Sequence, residues 1–373
     1  MAITKIEVPE LFDFGSDNSA FKLPTGTTAD RPTSPSNGEM RFNTTTGYVE
    51  YYDTTDTQWW EIDYAIEPLA VDYLVVAGGG SASAAGGGGG GAGGLRTSYG
   101  STSGGGGSAE NTPTLVIGTS YNWSIGTGGA GVTHPSTGNK GNDSTFNGIT
   151  SEGGGYGAGP SSSAAGGNGG SGGGGSCTSS VCFAGGNGTT GQGFDGGDRT
   201  GPLGGAVPSA GGGGAGGASL DVTGNCNTCA TAGGVGLAVN ILNSTNAATA
   251  SVGQVSGSDV YYAGGGGGSV EDYGGSGGYG AAGGLGGGSA GAYGCPGTAP
   301  LAATPNTGGG GGAPGGCGSA YSNAGGSGVI ILRYPSVYTA TVTGTQASGS
   351  PFTEGTNKVS VFTAGTGTVT FSL

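Results

Sequence analysis

Glycine occupies 97 of 373 positions, about a quarter of the chain against a usual share of roughly 7%, and this limits what the chain can fold into. Collagen would need glycine at every third position, whereas residues 86–91 are unbroken glycine. Aperiodic glycine at this level suits a disordered linker. An ordered alternative must recover its free energy through the main chain, because glycine loses the most backbone freedom on folding and has no side chain to bury. One geometry does so. Polyproline-II helices have about three residues per turn and no internal hydrogen bonds, so neighbouring helices can pair N–H with C=O. Glycine lets their axes approach closely. The expectation is a packed polyglycine sandwich.

Composition narrows the function classes. Nine Lys and Arg stand against 23 Asp and Glu, for a formal net charge of −14. A chain without a basic patch is not expected to bind the nucleic-acid phosphate backbone. No run of about 20 apolar residues is present, so no membrane span is expected. The start, MAITKIEVPELFDF, lacks the apolar stretch of a secretory signal. Six cysteines fall in three close pairs, Cys177 with Cys182, Cys226 with Cys229, and Cys295 with Cys317. They are expected to be disulfides stapling loops between glycine helices, although six cysteines allow 15 connectivities. Buried free thiols, or a zinc site from Cys177, Cys182, Cys226 and Cys229, are the alternatives.

Three regions separate by composition. Residues 1–67 are ordinary in glycine and read as an attachment or oligomerisation module. GEMRFN (38–43), a TTTG turn and YVEYYD (48–53) alternate as a β-hairpin should, and WWEI (59–62) adds a strand. Phe42, Tyr48, Tyr51, Trp59 and Ile62 are the candidate aromatic core, too small to stand alone without trimerisation or docking on a larger particle. Residues 68–335 form the glycine-rich body. Its two ends, VDYLVVA (71–77) and GVIILRY (328–334), are apolar on both faces and read as buried strands. Further strands are expected at 114–117, 121–125, 234–243 and 260–263. Residues 336–373 alternate again and read as strands completing the sheet. No segment carries a convincing helical period, so the fold class is all-β with polyproline-II and polyglycine-II content, a glycine-rich sandwich attached to an antiparallel sheet.

Motifs for chemistry are few. GxGxxG recurs by chance in so much glycine, and no helix follows 71–77 to make it a dinucleotide site. The lone His134 excludes a histidine-pair metal site and makes a catalytic triad improbable. Asp195 and Asp198 could offer oxygens to calcium, although solvated turn acids are commoner. No carboxylate pair stands out for glycoside hydrolysis. The chain is not expected to be an enzyme or to need a cofactor. Tyr99, Tyr156, Phe183, Phe194, Tyr273, Tyr279, Tyr293 and Tyr321 interrupt the glycine blocks where helices would turn. As a set they are the candidate receptor-contact surface, the alternative being that they seal the edges of the sandwich.

PTSPSNGEMRFNTTTGYVEYYD (32–53) followed by WWEI resembles a hairpin common in tail-fibre and other structural proteins of tailed bacteriophages. VDYLVVAGGG (71–80) and GGSGVIILRY (325–334) are similar to the two ends of a glycine-rich domain frequent in marine phage genomes. YNWSIGTGGAG (121–131), DSTFNGI (143–149) and VYYAGGGGG (260–268) match its internal strands, while FTAGTGTVTF (362–371) looks like a strand that precedes the domain in many relatives and follows it here. The resemblance extends to glycine-rich phage adhesins. It implies a virion protein made in the host cytoplasm and displayed on the particle exterior. Its implied partners are other tail or capsid proteins, two further copies in a homotrimer, and a host surface glycan or outer-membrane protein. A capsid decoration or head fibre is the alternative role.

Overall fold

The computed structural model describes residues 22–62, 69–84, 86–134, 136–159, 164–178, 180–201, 206–224, 226, 228–272, 279–292, 301–315 and 321–373. The chain divides into two compact units, Met1–Glu67 and Pro68–Leu373.

The first unit is a four-stranded sheet. Met40–Asn43, Tyr48–Asp53 and Gln58–Ile62 form an antiparallel meander, and Thr25–Gly26 adds a parallel edge beside Met40–Asn43. The five side chains expected to form one aromatic core do not. The register puts Phe42, Tyr51 and Ile62 on one face and Tyr48 and Trp59 on the other. Period-two alternation made that split unavoidable, because neighbours along a strand point to opposite faces.

The second unit begins and ends its glycine region in paired strands. Asp72–Val76 runs antiparallel to Val329–Pro335, from Val329 opposite Val76 to Arg333 opposite Asp72. On the other side of Val329–Pro335 lies Asn357–Ala364, so the C-terminal residues enter the same six-stranded sheet. Both faces are buried, as the continuous apolar runs predicted. On one face Tyr73, Val75, Ile330, Leu332 and Phe362 pack against Trp123, Phe146, Val369 and Phe371 of a five-stranded sheet. On the other, Leu74, Val76, Ile331, Val359 and Val361 share a cluster with Ala247, Val260 and Tyr262.

A short helix not expected from sequence, Ser244–Ala250, supplies part of that second cluster. Asn243 caps it by accepting from the Asn246 amide at 2.9 Å, and Ala247 and Ala250 are its buried residues. Two buried alanines leave too faint a period to read. The strand expected over 234–243 shrinks to Leu237–Ala238.

Between the strands, the glycine segments are neither helix nor sheet, and their amides bond from segment to segment with a repeat of three. Along residues 78–83, Gly78 and Ser81 donate to Asn142 and Asn139, Gly79 and Ala82 to Gly326 and Asn323, and Gly80 and Ser83 to Gly91 and Gly88. Three consecutive residues address three different neighbours, and the fourth returns to the first. That is the register of three residues per turn.

Residues 88–94 follow the same rule at the centre of the body. Gly88, Gly91 and Gly94 donate to Ala158, Gly155 and Glu152, Gly89 and Ala92 to Ala210 and Gly213, and Gly90 and Gly93 to Gly311 and Gly308. Their carbonyls accept from Gly80, Ser171, Gly174 and Gly266. Six segments therefore surround this one: residues 77–84, 152–158, 171–175, 209–215, 263–269 and 308–313. Those six also bond to one another in a closed ring, through Gly154 to Gly78, Gly155 to Ser171, Gly213 to Gly172, Gly212 to Gly266, Gly310 to Gly264 and Gly311 to Gly80. The result is a hexagonal bundle. At its centre, a Cβ on Gly90 would lie 2.2 Å from the Gly80 carbonyl oxygen, far inside van der Waals contact.

Candidate functional site

The bundle has two ends. Antiparallel registers align 77, 94, 152, 263 and 308 at the end where the strands begin, and 83, 88, 158, 175, 209 and 269 at the opposite, far end. Side chains of Asp72, Arg96, Glu110, Asp143, Glu152, Asp259, Arg333, Glu354 and Lys358 gather toward the strand end. The far-end stretches 177–183, 301–303 and 321–322 carry no Asp, Glu, Lys or Arg, but Arg199 bridges Val222 at this end, Asp221 accepts from the Asp198 amide, and Glu271 and Asp272 belong to the strand that continues from Ser269. Loops here need not continue the lattice, so side chains return.

Two disulfides pin this end. Cys177 bonds Cys182 across a tight hairpin, in which the Thr178 amide donates to the Val181 carbonyl and the Val181 amide donates to Thr178 Oγ1. Cys226 bonds Cys229, and the Cys229 amide donates to the Cys226 carbonyl at 3.1 Å. Both sulfur pairs are thereby committed to covalent bonds. Cys295 and Cys317 lie outside the described residues.

The aromatic residues singled out from sequence do not form one surface. Tyr321, bridged through its backbone to Thr133, and Tyr279 are exposed at the far end. Phe183 is half-buried beside the Cys177–Cys182 hairpin. Tyr99 lies at the strand end, half-buried against the apolar cluster with the Arg333 guanidinium 5.7 Å from its ring centre. Tyr156 is half-buried inside a glycine segment, where its ring covers Gly167. Phe194 is half-buried in the segment bonded to 172 and 214. Tyr273 and Tyr293 lie outside the described residues. Three exposed far-end apolar residues went unread: Val181, Leu220 and Leu301. The cysteines flanking Val181 were the available signal, since a stapled hairpin of that length must expose its tip.

Asp195 and Asp198 act as lattice groups. Asp195 Oδ1 accepts from the Gly188 amide at 2.7 Å and Asp198 Oδ1 from the Gly185 amide at 2.9 Å. Each carboxylate stands where a neighbouring carbonyl would be, and their spacing of three matches the segment repeat. Among the described residues no group of three or more His, Cys, Asp or Glu is arranged to hold a metal ion.

At the strand end, Glu110 receives the Tyr73 hydroxyl at 2.6 Å and pairs with Arg96 at 2.7 Å. Burial pushes the Glu110 carboxyl up, but the bonds from Arg96 and Tyr73 outweigh it and hold the carboxyl below its ordinary value. Burial, and then the Glu110 bond, push the Tyr73 hydroxyl up. Glu110 thus ties Tyr73 to Arg96 in one hydrogen-bonded ion pair. No described helix is long and apolar enough to cross a membrane.

Neither a curated protein nor a solved structure matches the chain. A family model does, that of the glycine-rich domain, over residues 54–335. The matched span takes in the paired strands at both ends and the whole hexagonal bundle between them, and the chain belongs to this glycine-rich domain family.

Proposed function

We propose that this chain is an exterior structural protein of a tailed bacteriophage virion, a fibre or receptor-binding adhesin without catalytic activity. In this reading the bundle is a rigid support of polyglycine-II helices, and its far-end loops meet the host surface. The supporting observation is the set of far-end loops, two of them pinned by disulfides, that expose Val181, Leu220, Leu301, Tyr279 and Tyr321 above a lattice joined by main-chain hydrogen bonds. Exposed tyrosines among small polar residues suit the faces of sugars or the loops of an outer-membrane protein.

The test is adsorption. Saturating host cells with the purified chain should block subsequent phage attachment, and Tyr321→Ala with Leu301→Ala should weaken that block. Unchanged attachment would overturn the adhesin reading. The segments are short, and at ~3.1 Å rise per residue a nine-residue helix spans only ~28 Å. That compactness favours, as a second reading, a head decoration, which immunogold labelling of intact virions distinguishes by where the gold sits.

A further inference from the structure

The Cys177–Cys182 and Cys226–Cys229 disulfides differ in what a molecule from solvent can reach. Cys177 is buried, and its half-buried partner Cys182 places Sγ 3.7 Å from the Gly201 carbonyl. The paired strands Ser176–Cys177 and Cys182–Phe183 hold both ends of that bridge. Cys226, by contrast, is exposed. Cys229 is half-buried, with Gly224 packed so close that a Cβ there would come within 2.7 Å of Cys229 Sγ. The next residue, Ala230, is buried with Val270 and Ala281, which anchors the Cys229 side of the bridge. Thr228 is exposed, and its Oγ1 lies 3.6 Å from Cys226 Sγ. Residues 222–230 contain no Asp or Glu to repel an approaching thiolate. Cys226 and Cys229 are three residues apart, and closing so short a loop removes little freedom from the unfolded chain. As a staple, this bridge does little.

We propose that Cys226–Cys229 is a site of thiol–disulfide exchange, open to a thiol from outside the chain. The proposal stands apart from the adhesin reading and does not need it. Exposed disulfides are the labile kind, and access decides which sulfur is attacked. Here that sulfur is Cys226 Sγ. The incoming thiolate bonds to Cys226 Sγ, the Sγ–Sγ bond breaks, and its electron pair leaves on Cys229 Sγ. Cys229 then takes up from water the proton that the incoming thiol released. The external sulfur is oxidised and the Cys229 sulfur reduced, with no further oxidant. The Thr228 hydroxyl can donate to the negative charge that develops on sulfur. Cys229 stays beside the mixed disulfide, because its amide donates to the Cys226 carbonyl at 3.1 Å. From there it can attack Cys226 Sγ in return and release the partner. The site makes a reversible covalent link to a thiol-bearing molecule.

Peptide mapping by mass spectrometry tests this on the folded full chain, incubated with glutathione and then alkylated. The expected product carries glutathione on Cys226 and the alkyl group on Cys229. It should form at least about tenfold faster than any adduct on Cys177 or Cys182. A second arm replaces glutathione with a folded protein bearing one exposed cysteine. A cross-link to Cys226 there extends the substrate to protein thiols, whereas a glutathione adduct alone restricts it to small thiols. Cys226→Ser combined with Cys229→Ser should remove the adduct and leave the thermal melt unchanged. Adducts on Cys229, adducts confined to Cys177, Cys182, Cys295 or Cys317, or no adduct until the chain unfolds would each overturn the proposal. So would loss of the melt in the double variant, which would make the bridge a structural staple.

Discussion

The larger unit contains two interiors built on opposite principles. In the β-sandwich, side chains do the packing: Phe362 lies against Trp123 with ring centres 4.9 Å apart, and Tyr334 meets Phe371 edge-on at 5.0 Å. In the hexagonal bundle there are almost no side chains to pack. Every residue from Gly88 to Gly94 donates a main-chain hydrogen bond to another segment. The sandwich gains by removing apolar area from water. A main-chain bond nets only about 1 kcal/mol, whereas a buried amide left unpaired costs about 1–3 kcal/mol. The bundle is therefore held less by the strength of its bonds than by the penalty for losing register. Apolar cores tolerate a missing methyl better than the lattice should tolerate an added one.

The largest effect should come from Gly90→Ala. Its Cβ would sit 2.2 Å from a carbonyl oxygen in the neighbouring segment, and the segments around it are fixed on all sides. The expected outcome is loss of the folded body, beyond the ~4–5 kcal/mol of exceptional single substitutions, seen as loss of soluble protein or of any cooperative melt. Gly107→Ala is the control, because its Cβ would meet nothing closer than 3.4 Å; a comparable loss there would show that glycine content rather than lattice contact is responsible.

Next in size is Phe362→Ala in the sandwich, expected to cost about 3–5 kcal/mol and measurable by denaturant titration. If this truncation proved more damaging than the added methyl at Gly90, the ranking of the two interiors would be reversed.

A smaller signature lies in the heat capacity. A body held by main-chain bonds exposes little apolar surface on unfolding, so calorimetry of the whole chain should give a change per residue clearly below the usual ~12–15 cal/mol/K. An ordinary value would mean that apolar burial dominates after all.

The mildest perturbation is acid, and it should separate the interiors. The Glu110 carboxyl titrates below its ordinary 4.5 in the folded chain. Its contribution is therefore present above 4.5 and is lost as pH falls through the lowered folded value. The lattice amides and carbonyls do not titrate. Near-ultraviolet signals from Trp123 should accordingly weaken in acid while amides of residues 88–94 stay protected from hydrogen exchange. Equal loss of both would join the two interiors into one cooperative unit.

Much of this architecture was legible in the residues. The strands at 71–77 and 328–334 announced themselves by runs too apolar to face water, and the glycine blocks between them required main-chain pairing. The short helix at Ser244–Ala250 was hidden because alanine, threonine and asparagine leave little amphipathic trace over seven residues. The contact surface was harder still. Tyr99 and Tyr156 look like loop aromatics in a linear reading, yet one packs against Arg333 and the other covers Gly167. Where successive amides address different neighbours with a repeat of three, which residue faces a neighbour and which faces solvent depends on where the segment sits in the lattice.

The sequence by itself determined the material of this protein. With a quarter of its residues glycine, its glycine segments could become ordered only through hydrogen-bonded main chain, because those segments have almost no side chains to bury. Only the tertiary structure decided the neighbours: residues 88–94 at the centre with six segments around them, and an apolar sheet face left open on the first unit. Glycine carries no side chain to encode a partner, so identical blocks become distinguishable only when the strands and turns that join them bring each one to its place.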